Sequence, residues 1–243
     1  ITRFREADEL KGNFISVVSH ELKTPISLIK GYASTLRRDD VTWDKATIQE
    51  SLTVIEEEAD HLALMVEDLL DASRLQASEG ISLKKSAVDL PELTREVVQR
   101  MTKQDDRHQF SVMFPPDFPV VVGDENRLRQ LLSNLLINAV KYSESGTITV
   151  LGNANNREVQ ISVRDQGKGF DPVDVQYVFD RFYRSEDAIK HSKGTGLGLY
   201  LCKAIVLAHG GRIWVNENYH HGAEISFTIP REDQNIPLLR LVP

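Results

Sequence analysis

The stretch Phe14-Ile-Ser-Val-Val-Ser-His20-Glu21-Leu22-Lys23-Thr24-Pro25 reads as helix and sets the architecture of the first third of the chain. Phe14, Val18, Leu22, Pro25, Ile29, Tyr32 and Leu36 recur at spacings of three and four, the seam of a coiled-coil-like helix. A second seam follows in Ile48, Leu52, Ile55, Ala59, Leu62, Val66 and Leu69. The connection at 37–44 is polar and short, and Thr42 is the expected N-cap of the second helix. Two helices joined this way form an antiparallel hairpin. One hairpin cannot bury both of its faces, so the pattern predicts pairing with a second copy into a four-helix bundle, a homodimer. A plain coiled-coil spacer fits the same stripes.

Composition changes at the small, polar residues 76–80. The expected division is a helical hairpin at 1–77, a hinge at 78–81, a second domain at 82–231 and a tail at 232–243. In that second domain, strands are expected at 81–88, 109–114, 119–122, 146–152, 157–165, 212–217 and 223–229. Helices are expected at 89–102, with Pro91 in the first turn, at 124–142, and at 196–209 ending on Gly210-Gly211. Paired strands with helices between them imply one mixed sheet covered by helices on one face, an α/β sandwich. The fold class of the whole chain is therefore α+β.

The 243 residues suffice for two modest domains, each with its own core. A net charge of −7 lacks the basic footprint of a nucleic-acid binder. The single cysteine, Cys202, excludes an intramolecular disulfide and falls in an apolar helical stretch as a packing residue. No apolar run is long enough to span a bilayer, and none is expected to act as a signal peptide. The chain opens at Ile1, inside a helix, as expected of a cytoplasmic fragment whose sensing or membrane segment lies upstream.

His20 sits two residues from both Val18 and Leu22, on the helix side opposite the seam. A neutral imidazole facing solvent is a candidate nucleophile, and the neighbouring Glu21 can take the proton from its far ring nitrogen. Pro25 removes the helical partner of the Glu21 carbonyl and lets the helix bend just past the nucleophile. An ordinary exposed histidine fits these residues in isolation. The remaining histidines, His61, His108, His191, His209, His220 and His221, lack a comparable setting and read as structural or surface residues.

Four further blocks carry chemistry. In Asn134-Leu-Leu-Ile-Asn138-Ala-Val-Lys141-Tyr142, Asn134, Asn138 and Lys141 fall on one helical face, and amide oxygens suit a hydrated Mg²⁺ bridging phosphates. Asp165-Gln-Gly167-Lys-Gly169-Phe170 follows a strand. Its carboxylate can accept from an adenine amino group while glycines let backbone approach the base. In Phe179-Asp-Arg181-Phe182-Tyr183-Arg184 the aromatics anchor a lid, and Arg181 and Arg184 can neutralise phosphate. Gly194-Thr195-Gly196-Leu197-Gly198-Leu199 opens a helix with the amides of an anion site, and 185–193 read as the lid itself. The absence of a following Lys-Ser/Thr excludes a P-loop, and the context is wrong for a dinucleotide fingerprint.

Together the five blocks resemble the sensor histidine kinases of two-component systems, across about 14–199 and in the family's order. The resemblance implies that His20 is the phosphorylated residue, that Glu21 is its base, and that Thr24 positions water to hydrolyse a phosphorylated partner. It assigns Asn138 to the metal, Asn134 to metal or phosphate, and Lys141 and Tyr142 to the phosphate and ribose side. Asp165, with Gly167 and Gly169, takes the adenine. Arg181, Arg184 and the Gly194-Thr195-Gly196-Leu197-Gly198 run take the phosphates. The cofactors implied are ATP and Mg²⁺, and the partners are a second copy and a response-regulator receiver domain. Lys193 departs from the small residue many relatives carry before the first glycine. Two other readings stay open: a phosphatase-dominant regulator leaning on Thr24, and an ATP-switched dimerisation module related to type II topoisomerases. The latter lacks its expected catalytic Glu, since the turns before Asn134 read Arg127-Leu-Arg-Gln130.

Overall fold

A computed structural model describes residues 2–76, 80–185 and 194–231, with backbone alone at 2–17, His20, His61, Gln76 and Gln104. The chain divides into two compact units, 1–77 with 181–197, and 78–180 with 198–243.

The first unit holds two long helices, α1 (Thr2–Leu36) and α2 (Lys45–Gln76), packed as a hairpin. Asp44, not Thr42, caps α2. It immediately precedes the first helical residue, and its carboxylate accepts from the Thr47 amide at 2.9 Å and the Thr47 hydroxyl at 2.8 Å. Pro25 lies inside α1 and is buried, flanked along the seam by half-buried Val18, Leu22, Ile29, Tyr32 and Leu36. The second seam departs from expectation. Ser51, Met65 and Ala72 are buried at heptad spacing, with Glu58 half-buried between them, whereas Ile48, Leu52, Ala59 and Val66 are exposed. Ile55, Leu62 and Leu69 of the expected seam are half-buried, so one flank of α2 meets α1 along part of that seam while its other members fall on the flank left over.

The second unit is built on a five-stranded mixed sheet. Its strands are β2 (His108–Met113), β4 (Gly146–Ala154), β5 (Glu158–Arg164), β6 (Ile213–Val215) and β7 (Glu224–Pro230), in the order β2-β4-β5-β7-β6. Only β2 and β4 run parallel. Among the described residues three helices accompany the sheet: α3 (Leu90–Gln104), α4 (Glu125–Tyr142) and α5 (Gly198–Ala208). Period-two alternation in β5 buries Val159, Ile161 and Val163 against Leu128, Leu131, Leu132 and Leu135 of α4 and Leu201, Ile205 and Val206 of α5 in one apolar core. Cys202 belongs to that core, fully buried with its sulfur near the Leu131 carbonyl. On the opposite face of β5, Ser162 bonds Ser226 of β7 at 2.7 Å and Arg164 pairs with the buried Glu224 at 2.7 Å.

A small second sheet joins β1 (Ser86–Val88) to β3 (Val121–Gly123). The strand expected at 81–88 is therefore only three residues long. Its partner ends where Asp124 begins the cap of α4, and the Lys84 amide turns instead to the Asp124 carboxylate at 2.8 Å. The other expected elements form with their ends moved by a few residues. Together the helical hairpin and the mixed-sheet domain make the chain α+β.

Candidate functional site

In the second unit the candidate face of α4 starts from a strongly held N-terminus. Asp124 accepts from the Arg127 amide at 3.2 Å and from Lys84, and its own amide donates to Nε2 of the buried His209 at 3.0 Å. Leucines on the core side fix the helix's rotation, which leaves Asn134, Asn138, Lys141 and Tyr142 half-buried along one side. Nδ2 of Asn134 is buried and has no hydrogen-bond partner among the described residues. Gly198, the first residue of α5, faces it; a Cβ there would lie 3.9 Å from that nitrogen. A buried amide left open in this way awaits a ligand, since burial without a partner costs free energy. Nζ of Lys141 stands 5.1 Å over the Tyr142 ring.

Asp165 follows β5 and is buried. Its Oδ1 accepts from the Gly167 amide at 2.8 Å and the Ala223 amide at 3.0 Å, while its own amide donates to the Ala223 carbonyl at 2.9 Å. These bonds lock the carboxylate and leave Oδ2 as its acceptor. Burial pushes the carboxyl above the usual range, and the Ala223 and Gly167 amides pull against that. The surrounding backbone is tight. Gly167 packs on the Tyr142 carbonyl, and Gly169, at φ 75°, would bring a Cβ within 2.8 Å of the Gly222 carbonyl. Asp165, Gly167, Gly169 and the end of α4 thus form one corner.

Arg181, Arg184, Gly194, Thr195, Gly196 and Leu197 belong to the first unit, apart from that corner's own unit. Within their segment the chain is braced on itself. The Phe182 amide donates to the Gly196 carbonyl at 3.0 Å, the Leu197 amide to the Thr195 hydroxyl at 3.3 Å, and the Arg181 guanidinium lies 4.4 Å over the Phe182 ring. Phe182 is held at φ 65°, a left-handed conformation rare for a bulky residue. The expected lid residues at 186–193, Lys193 included, lie outside the described residues.

On α1, Glu21 and Thr24 are half-buried while Ser19 and Lys23 are exposed; the side chain of His20 lies outside the described ones. No group of three or more His, Cys, Asp or Glu able to hold a metal occurs among the described residues. A hydrated divalent ion bridging phosphates could take the Asn138 side-chain oxygen, while the open Nδ2 of Asn134 is a donor suited to a phosphate oxygen.

Residues 10–78 match the family model described as His Kinase A (phospho-acceptor) domain. Residues 123–233 match that of the histidine kinase-, DNA gyrase B- and HSP90-like ATPases. The chain belongs to the sensor histidine kinase family. It is 34% identical over 236 residues to Sensor protein SrrB of Staphylococcus aureus strain MRSA252, an alignment that covers 96% of this chain and 40% of the relative. The chain thus spans less than half the length of the curated relatives it matches. Among solved structures, full-length ShkA in complex with AMPPNP aligns with a TM-score of 0.63 at 28% identity, over 90% of this chain and 45% of ShkA. A mycobacterial sensor histidine kinase, MprB, aligns with a TM-score of 0.53 at 29% identity, over 61% of this chain and 99% of that one.

Several residues that shape this histidine kinase core carry no signal in the sequence blocks. His209 accepts from the Asp124 amide with Nε2 and bonds the Ile205 carbonyl through Nδ1 at 2.8 Å, which ties α5 to the cap of α4. His108 touches Asp105 and Ser143, and both partners become visible only once β2 and α4 are folded together. Gly222 packs on the Asp165 carbonyl from a turn nearly sixty residues away. His220 and His221 are exposed.

Proposed function

We propose that this chain binds ATP through Asp165 and the α4 face, phosphorylates His20, and passes the phosphoryl group to an aspartate of a receiver domain. The observation that carries the reading is the Asp165 carboxylate: buried, clamped by the Gly167 and Ala223 amides through Oδ1, and with Oδ2 taken by neither amide. The exocyclic amino group of adenine supplies the matching donor.

In the scheme, a ring nitrogen of His20 attacks the γ-phosphorus in line. The bond from γ-phosphorus to the β–γ bridging oxygen breaks, and ADP leaves with that oxygen. Glu21 accepts the proton from the other ring nitrogen, which keeps the attacking lone pair available. Lys141, Arg181 and Arg184 offset phosphate charge, and the Gly194–Gly198 amides hold the phosphate oxygens. Asn138, with Asn134 nearby, would hold a Mg²⁺ ion, which when bound would neutralise charge at the phosphates. The receiver's carboxylate then displaces the His20 nitrogen from phosphorus, and Thr24, on the same helix face region, positions water for the reverse duty of dephosphorylating the receiver.

Incubation with γ-labelled ATP should give an acid-labile, base-stable phosphoprotein. His20→Gln should abolish the label without loss of nucleotide binding, and Asp165→Asn should abolish both. Equal labelling of the His20 variant would overturn the assignment. Thr24→Ala should spare autophosphorylation while lowering loss of label from a phosphorylated receiver by about tenfold, the scale of one lost water-positioning contact.

A further inference from the structure

The phosphotransfer scheme leaves unused a buried cluster of Asp105, His108 and Ser143. The side chains of His108 and Asp105 are 0% and 9% exposed, and Ser143 is buried as the C-cap of α4. The Ser143 hydroxyl donates to the Ala139 carbonyl at 2.5 Å. A hydroxyl has a single proton, so it meets Nε2 of His108, 3.0 Å away, with a lone pair, and that nitrogen carries hydrogen. The other ring nitrogen, Nδ1, faces Oδ2 of Asp105. Burial opposes charge on Asp105, but the Arg107 amide and the His108 ring outweigh it and hold the carboxyl below its usual range. Its Oδ1 takes the Arg107 amide at 3.0 Å and the Arg107 guanidinium at 3.2 Å. A carboxylate only accepts, so Nδ1 carries hydrogen as well. With both nitrogens protonated, the ring is an imidazolium. The carbonyl end of α4 favours a cation at that place.

The cluster underlies the corner of the nucleotide site. His108 opens β2 directly opposite Gly146, which opens β4. Gln166, next to Asp165, accepts from the Thr147 amide at 3.0 Å, and Gly167 packs on the Tyr142 carbonyl, one residue before Ser143. The charged group in contact with the ring is Asp105, with Arg107 behind it; Asp165 feels the ring's charge only through the longer-range field.

We propose that His108, held as an imidazolium by Asp105 and Ser143, is a positioning residue that fixes this corner and with it the Asp165 carboxylate that meets the adenine amino group. The inference rests on the assignment of Asp165 to adenine. Its distinctive readout is base discrimination, because inosine diphosphate lacks the amino donor. Calorimetry on the full chain should show ADP bound more tightly than inosine diphosphate. Asp165→Asn should erase that difference; if it persists in this variant, the adenine assignment itself fails. Given that control, His108→Asn should weaken ADP by about tenfold, the scale of one charge-assisted hydrogen bond, and leave inosine diphosphate within about twofold. Equal weakening of both nucleotides, or of neither, overturns the role of His108 while leaving that of Asp165 intact. Ser143→Ala, read by the same ratio, serves if His108→Asn fails to fold. Ring ¹⁵N spectra of the wild type at neutral pH should show one histidine with both nitrogens protonated that is lost in either variant, and a His108 ring with one bare nitrogen overturns the proposal.

Discussion

In the proposed site Asp165 does two things at once: it closes a backbone corner with one oxygen and presents the other to adenine. Its raised pKa gives the pH dependence a sign. The carboxyl takes up a proton at a higher pH than an ordinary aspartate, and protonation spoils an acceptor. ADP affinity should therefore fall on acidification earlier than for a site read by a solvated carboxylate, a trend calorimetry between about pH 8 and 5 would show. Gly196 is the second residue whose identity is dictated by its place. At φ 71°, with a Cβ due to meet the Phe182 backbone at 2.8 Å, Gly196→Ala is strained by about 1–3 kcal/mol. The expected result is faster limited proteolysis at 181–197 and weaker ATP binding, with the helicity of α5 kept. Asp165 and Gly196 are legible in the sequence because each stands at a strand or helix boundary beside its own glycines. His108 is not, because its partners lie on a loop and on a helix end brought near only by the β2–β4 pairing.

At the scale of elements, the sequence reads the long amphipathic segments well and their junctions poorly. Periodicity marks α4 and β5 because burial repeats along them. It places neither the shortened β1 nor the capping Asp44, where one side-chain bond decides the boundary. Asp44→Ala should cost about 1 kcal/mol, seen as earlier melting of the hairpin. The Asp124–His209 junction has a pH signature. Burial holds His209 below the ordinary value of 6.5, so the unfolded chain binds the proton more readily than the folded one. Stability from this group is present above about 6.5 and is lost as pH falls below it. His209→Gln, which keeps an acceptor for the Asp124 amide, should lower stability at pH 8, and its deficit relative to wild type should shrink toward pH 5. Denaturant titrations across that range supply the comparison.

For the whole molecule, the unexpected face of α2 carries the argument. Leu52, Val66 and Leu70 are 53%, 47% and 54% exposed, and Ile26 and Leu28 of α1 are exposed with them. So much aliphatic surface along one hairpin fits a second copy, the occupant that completes a four-helix bundle. Leu52→Glu combined with Leu70→Glu should convert a dimer into a monomer in sedimentation and leave ADP binding within about twofold, since α4 and Asp165 belong to the other unit. The seam spacing announces two such helices but not which flank each gives to its neighbour. Heptad positions 51, 58, 65 and 72 and the aliphatic stripe beside them differ by a fraction of a turn, and only packing chooses between them.

The burial of Cys202 has a use at the bench. It is the only cysteine of the chain, and its sulfur is sealed in the core between α4 and α5. A thiol reagent should therefore leave the folded protein untouched and consume one equivalent once the mixed-sheet unit opens. A new cysteine at an exposed site such as Lys23 or Ser27 would be the sole handle for a dye or spin label, without any need to remove the native one. Labels beside the proposed phosphoacceptor His20, read with and without nucleotide, would then follow the working cycle as distances in solution.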